Sequence, residues 1–441
     1  MNIALISEHA SPLATPGGVD CGGQNVYVAH VAAELARAGH RVDVFTRRDD
    51  PSQPPVVEAG LPPRMRVIHV PAGPARFVPK ESLLPLMPSF CAAAVEFARS
   101  RPRASRFGGP HLAIASLGPT GGIYDIVHAN FFMSGLAAMR LRERFGIPFV
   151  VTFHALGKVR RRHQGSADAF PAERIDIEDR LVADADRVIA ECPCDRDDLV
   201  ELYGADPGRV EIVPCGVDLD ELYPGPRTLR AELGLAENDF LVLQLGRMVP
   251  RKGVDNVVRG IAALKRRHGI RATLLVVGGE SDQPDPVLTP EIGRLAKIAA
   301  EEGVAGQLRF AGRQPRHRLR DFYNAADVFV STPWYEPFGI TPLEAMACAC
   351  PVIGAAVGGI QHSVVDGVTG YLVPPRVPDA LAARLAQLQR DAGLRRELGQ
   401  RGLRRVRRQF TWRLVAEQLA RVYRDVAVPP LRPALERRLQ A

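Results

Sequence analysis

Met1-Asn-Ile-Ala-Leu-Ile-Ser7, followed ten residues later by Gly17-Gly18-Val19-Asp20-Cys21-Gly22-Gly23-Gln24-Asn25, decides the fold. Residues 3–7 read as a buried strand, and a Gly/Pro-rich loop carries the chain to a helix over residues 25–38. That helix places Val28, Val31, Ala32 and Leu35 on one face, and Gly39 stops it. A second strand over 41–46 completes a βαβ opening. Glycines in a strand-to-helix loop let backbone amides approach a ligand, and the helix start offers unpaired N–H groups to an anion. The loop is not a G-x-G-x-x-G, so an ordinary dinucleotide fingerprint does not apply.

Working outward, further short apolar runs at 66–70, 126–128, 149–153, 187–190 and 210–213 alternate with helical segments. Tyr223-Pro224-Gly225-Pro226 marks a linker. A second series of strands follows at 240–245, 272–277, 308–310, 328–331, 352–354 and 370–373. The expected architecture is α/β, with two Rossmann-like domains facing one another. Their expected bounds are 1–222 and 223–410, with a closing amphipathic helix within 411–428 and a loose tail at 429–441.

The chain of 441 residues, 46% apolar and 24% charged, is long enough for two hydrophobic cores. No apolar run approaches the roughly 18 residues of a membrane span, and the opening lacks the basic region of a signal peptide, so a cytoplasmic location is expected. Seven cysteines include Cys192-Pro-Cys194 and Cys348-Ala-Cys350, neither a C-x-x-C and neither beside ligand-spaced histidines. A metal site is not expected. The net charge of +8 suits phosphorylated small molecules, nucleic acid or an anionic membrane face. Arginine is dense over 158–163 and 395–408, yet aromatics are only 6% of the chain and none is interleaved with those runs, which argues against nucleic acid. Peripheral contact with an anionic membrane stays open.

Three further segments carry chemistry. Arg247 follows the strand ending Leu243-Gln-Leu-Gly246, and Arg251-Lys252-Gly253 precedes a helix, so Arg247 and Lys252 converge at the carboxyl edge of the sheet. Two cations there neutralise charge on a leaving diphosphate, and Lys252, at a strand end, is expected to be mostly solvated. Glu336-Pro-Phe338-Gly339-Ile340-Thr341-Pro-Leu-Glu344 straddles a helix start with two carboxylates, suited to hydroxyls on either side of a phosphate held by amides. His154 ends the strand Val150-Val-Thr-Phe-His, where the first domain meets the cleft.

Together these segments resemble retaining glycosyltransferases of the family that contains sucrose synthase, sucrose-phosphate synthase, bacterial mannosyltransferases and the first glycosyltransferase of mycothiol synthesis. The markers run through nearly the whole chain: Gly22-Gly23-Gln24-Asn25, Phe153-His154, Pro214-Cys215-Gly216-Val217-Asp218, Gly246-Arg247, Lys252-Gly253, Glu336 to Gly339 with Glu344, and Gly358-Gly359. The resemblance implies a GT-B fold with no cofactor, a nucleotide diphosphate sugar held mainly by the second domain, and a final helix crossing back to the first. It implies that Arg247 and Lys252 bind the diphosphate, Glu344 the ribose, and Glu336 with the amides of Phe338, Gly339, Ile340 and Thr341 the sugar and β-phosphate. Gly22 and Gly23 also belong to the donor site, Arg313 or Arg316 is a candidate contact to the base, and His154 lies beside the reacting sugar.

On the acceptor side, Gln24, Asn25, Lys80 and Arg174 are the candidate polar contacts. Where mycothiol-type enzymes, which use inositol phosphate, are expected to carry Tyr and Thr, this chain has Phe131 and Ala155, which points to another sugar or sugar-phosphate acceptor. UDP-glucose or UDP-N-acetylglucosamine is the expected donor, ahead of GDP-mannose. The D-x-D strings at Asp184, Asp195 and Asp218 are read as structural. The competing readings are an inactive sugar-nucleotide-binding protein, and an epimerase or phosphorylase on the same architecture.

Overall fold

The short apolar runs inside each sheet become buried strands because helices cover both faces, leaving no solvated side on which alternation could show, while the edge runs at 210–212 and 308–310 stay partly exposed. The structure is a computed structural model that describes residues 1–14, 22–100, 123–236 and 238–427. Gly17-Gly18-Val19-Asp20-Cys21 and the expected tail at 429–441 lie outside the described residues.

The first half forms β1 (Asn2–Ile6), β2 (Arg41–Arg47), β3 (Val56–Val57), β4 (Met65–Val70), β5 (Ile126–Asn130), β6 (Phe149–Thr152), β7 (Arg187–Ala190) and β8 (Val210–Ile212). They pair in the order β3-β4-β2-β1-β5-β6-β7-β8. Every pairing is parallel except β3 with β4, a two-residue edge that the sequence pattern did not predict. The second half forms β9 (Leu241–Leu245), β10 (Thr273–Val277), β11 (Leu308–Phe310), β12 (Val328–Ser331), β13 (Val352–Ala355) and β14 (Gly370–Val373). Their order is β11-β10-β9-β12-β13-β14, parallel throughout.

In each sheet the strand order reverses beside the first strand: β1 lies between β2 and β5, and β9 between β10 and β12. Loops leaving the carboxyl ends of such strands open a crevice where ligands bind. The loop before helix Gly23–Arg37 and the loop carrying Arg247 are these two loops.

The chain passes between the halves twice, and the two passages are joined. Val217 N donates to Phe410 O at 2.8 Å, and Val217 bridges to Thr411. Helix Trp412–Ala427 then packs on helix Gly23–Arg37 of the first half, with Trp412 stacked on His30 at 5.2 Å. Tyr423 OH and His128 Nδ1 share a buried hydrogen bond of 2.6 Å. No described helix is long and apolar enough to cross a membrane.

Candidate active site

A cleft of about 510 Å³ separates the carboxyl edges of the two sheets. On the second half's wall, β9 ends and the chain turns through Pro250–Lys252 into Gly253, which has φ of 65°. A Cβ there would lie 2.0 Å from the carbonyl oxygen of Thr332, so only glycine permits the approach. That approach brings Lys252 onto Glu336: Lys252 Nζ pairs with Glu336 Oε2, and Arg251 Nη1 lies 3.5 Å from the same oxygen.

The expectation of a solvated Lys252 is therefore corrected. Its side chain is 17% exposed, because the Thr332 strand end and the Glu336 loop close over it. Burial pushes the Glu336 carboxyl upward, but Lys252, Arg251 and Arg247 outweigh it and hold the group at about 2. Burial also moves Lys252 below the usual lysine range, with Glu336 opposing the shift. The site thus keeps a permanent carboxylate bonded to a lysine, next to further cations.

Helix Ile340–Ala347 starts at Gly339, and Phe338, Gly339, Ile340 and Thr341 line the cleft. The loop before it is pinned by Gly358, where a Cβ would fall 1.8 Å from Glu336 O, and by Gly359, where it would fall 2.5 Å from Phe338 Cα. Glu344 accepts from Tyr323 OH at 2.8 Å and from Arg316 Nη1 at 3.2 Å. Arg316 also holds Glu221, at 2.5 Å. Both carboxylates and both expected cations, Arg247 and Lys252, line one cleft with Arg316.

The first half contributes Gly22, Gly23, Gln24 and Asn25 to the opposite wall. A Cβ on Gly22 would meet the Arg247 guanidinium at 3.9 Å, so the two halves face each other here. Asn25 is 4% exposed and locks the loop, accepting from Gly22 N at 3.0 Å and donating to Ser11 O at 3.0 Å. Gln24 Nε2 donates to Ser7 Oγ at 3.2 Å and Asn130 O at 3.1 Å. Lys80 lines the cleft from a short turn, 3.4 Å from Glu81.

His154 also lines the cleft, in a left-handed backbone conformation with φ of 57°, which costs a non-glycine residue about 1–2 kcal/mol. Its ring lies between Glu191 Oε1 at 2.9 Å and Asn130 Oδ1 at 3.1 Å, with the Tyr27 ring 4.8 Å away. Arg174 does not lie where it was expected. It is 1% exposed, lines no part of the cleft, and is covered by Phe131, Phe132 and Phe170 at 4.9, 5.0 and 4.5 Å from Cζ to the ring centres.

Several residues escaped the sequence reading. Arg251 stands beside Lys252 in the sequence with no expected role, and Glu191, which holds the His154 ring, had none either. Gly278-Gly279 follow β10 and line the same cleft, and a double glycine after a strand was the signal available. The D-x-D strings hold backbone: Asp186 accepts from Phe149 N, Asp195 from Glu191 N and Asp218 from Asp220 N, at 2.9, 2.9 and 2.8 Å. Among the described residues, His30, Asp218 and Glu221 bring possible metal ligand atoms within 4.8 Å of one another, but Arg316 pairs with Glu221 there.

Residues 21–221 match Glycosyltransferase Family 4, and residues 227–405 match Glycosyl transferases group 1. The D-inositol 3-phosphate glycosyltransferase of Actinosynnema mirum is 39% identical over 433 residues, which is 96% of this chain and 98% of that protein. The protein of the same name from Kineococcus radiotolerans is 37% identical, with 96% and 94% covered. Sucrose-phosphate synthase from Thermosynechococcus elongatus superposes with a TM-score of 0.82 at 33% identity, covering 96% of this chain and 98% of that one. Anabaena HepE in complex with UDP-glucose shares the fold, with a TM-score of 0.70 at 18% identity and coverage of 96% and 100%.

Proposed function

The chain belongs to the GT-B glycosyltransferases, acting with a nucleotide sugar, and from that premise we propose that it transfers a hexose with retention of anomeric configuration and without a metal ion. The donor is a nucleotide diphosphate sugar, UDP-glucose or UDP-N-acetylglucosamine before GDP-mannose. The acceptor is a hydroxyl of a sugar, sugar phosphate or glycolipid. The observation that carries this reading is the cluster of Arg247, Lys252 and the helix start at Gly339 around the lysine-bound Glu336.

As the bond from the anomeric carbon to the β-phosphate oxygen breaks, negative charge gathers on the diphosphate. Arg247, Lys252 and the amides at Ile340 and Thr341 are available to stabilise it; Glu336 and Gly253 already hold Lys252, and Gly358 and Gly359 pin the loop before the amides, so these groups need little reorganisation. The acceptor hydroxyl attacks the same face, and its proton passes to the departing phosphate oxygen. Glu344 keeps unused lone pairs for ribose hydroxyls beside its bonds to Tyr323 and Arg316. Neither wall holds both substrates, so transfer requires the two halves to close, which also removes water that would hydrolyse the donor.

The relatives' name points to an inositol phosphate acceptor. Phe131 and Ala155 line this cleft without a hydroxyl and Arg174 lies behind rings, which favours a different sugar or sugar phosphate. The test incubates the protein with each nucleotide sugar and a panel of sugars, sugar phosphates and inositol phosphate, and reads the anomeric coupling constant of the product by proton NMR. A retained α-linkage is expected. An inverted product overturns the same-face mechanism, and nucleotide binding without turnover on the full panel overturns the enzyme reading.

A further inference from the structure

His154 stands in the cleft just past β6, on a left-handed backbone that favours no histidine rotamer for catalysis by itself, so contacts must aim its ring. The contact at Nδ1 is Glu191 Oε1, at 2.9 Å. The same oxygen accepts from Cys215 Sγ, at 3.2 Å. Burial and the adjacent Glu191 push the Cys215 thiol well above its usual range, so it keeps a hydrogen to donate.

Glu191 and Cys215 are each 3% exposed. A buried carboxylate is costly unless it is paired and hydrogen-bonded. Among the described residues Glu191 pairs with no lysine or arginine, so the ring and the thiol are the partners its side chain has. Cys215 in turn stands at the joint between the halves. A Cβ on Gly216 would fall 2.7 Å from Trp412 N, and Val217 N donates to Phe410 O at 2.8 Å. A second route reaches the same joint: the Tyr27 ring lies 4.8 Å from the His154 ring and 5.8 Å from Trp412.

We propose that Glu191 is a positioning residue for glycosyl transfer: it sets the His154 ring in the cleft, and Cys215 ties that carboxylate to the joint between the halves. This rests on the transfer reading above. Without an acceptor at Nδ1 the ring is free to swing, and misplacement by about 1 Å near reacting atoms costs on the order of 100-fold in rate.

The test compares wild type with Glu191→Ala, Glu191→Gln and Cys215→Ala. It measures kcat, both KM values, UDP affinity, the folded fraction and the 15N resonances of the His154 ring, assigned with a His154→Asn variant. The proposal expects kcat to fall on the order of 100-fold in Glu191→Ala, with both KM values and UDP affinity unchanged and the His154 resonances shifted. Glu191→Gln, whose amide oxygen still accepts at Nδ1, should recover about tenfold of that loss, and Cys215→Ala should shift the same resonances and lower kcat about tenfold. Equal losses in Glu191→Ala and Glu191→Gln would make charge, not ring placement, the role of Glu191, and overturn the proposal. A raised KM at unchanged kcat, which would put Glu191 on a substrate, also overturns it. So do unmoved His154 resonances in either folded alanine variant, or a loss of kcat that only tracks the folded fraction. If Glu191→Ala does not fold, Glu191→Gln and Cys215→Ala decide by the same readouts. The resonances do not depend on turnover, so a wild type inactive with every nucleotide sugar would fault the transfer reading separately.

Discussion

The two walls of the cleft place their most buried ion pairs differently. On the second half's wall, Arg247, Lys252, Arg316 and Glu336 face the cleft itself. On the first half's wall, the ion pair of Arg174 with Glu178, 1% and 0% exposed, is sealed behind Phe131 and Phe170 and bonds to backbone. The difference teaches that the chemistry of the ligand decides where charge sits. A diphosphate needs cations pointed at it, whereas the sugar ring of an acceptor needs a shaped, stiff surface.

The largest expected effect falls on the charged wall. Lys252→Ala should lower kcat/KM by about 10³. Because Lys252 is buried against Glu336, it should also lower stability by about 3 kcal/mol, leaving a carboxylate without its main partner. Steady-state kinetics and urea denaturation check both numbers. Lost stability with retained turnover would make the pair purely structural and erase the contrast between the walls.

Next comes acid. Glu336 sits at about 2 when folded, below its ordinary 4.5, so its pairing stabilises the fold above pH 4.5 and is lost as pH falls from there towards 2. The contribution is of the order of 3 kcal/mol. Denaturation of wild type and Glu336→Gln at several pH values should show a steep acid slope that is shallower in the variant, and equal slopes would contradict the pairing. Gly358→Ala, which forces a methyl into the Glu336 carbonyl from a left-handed backbone, should cost at least about 2 kcal/mol in the same assay. A neutral result would mean that the Glu336 loop is not pinned from behind.

The smallest effect belongs to the other wall. Phe131→Tyr with Ala155→Thr restores two hydroxyls, and two hydrogen bonds of about 0.7 kcal/mol each should raise kcat/KM for inositol phosphate about tenfold. Unchanged acceptor preference would show that the side chains at these positions do not set it.

The same contrast explains what the sequence made legible. The strands were plain because each is a short apolar run, while β3 carries too few residues for any periodicity. The second half's wall was plain as a cleft wall because residues 336–344 place two carboxylates, a glycine and a helix start in one unbroken segment. The burial of Lys252 was not, because its partner lies 84 residues away. Arg174 misled for the same reason: nothing local tells that Phe131, Phe132 and Phe170 close over it. His154 was legible as a position at the cleft, but Glu191 and Asn130, which hold its ring, come from other strand ends.

The central claim is that protein cations and helix amides, with Lys252 held by Glu336 and the amide loop pinned by Gly358 and Gly359, do at the diphosphate what a divalent ion does elsewhere. The most direct measurement is the initial rate of transfer from the preferred nucleotide sugar in excess EDTA, against the rate with added magnesium or manganese. The account predicts equal rates. A rate abolished by EDTA and restored by either ion would contradict it.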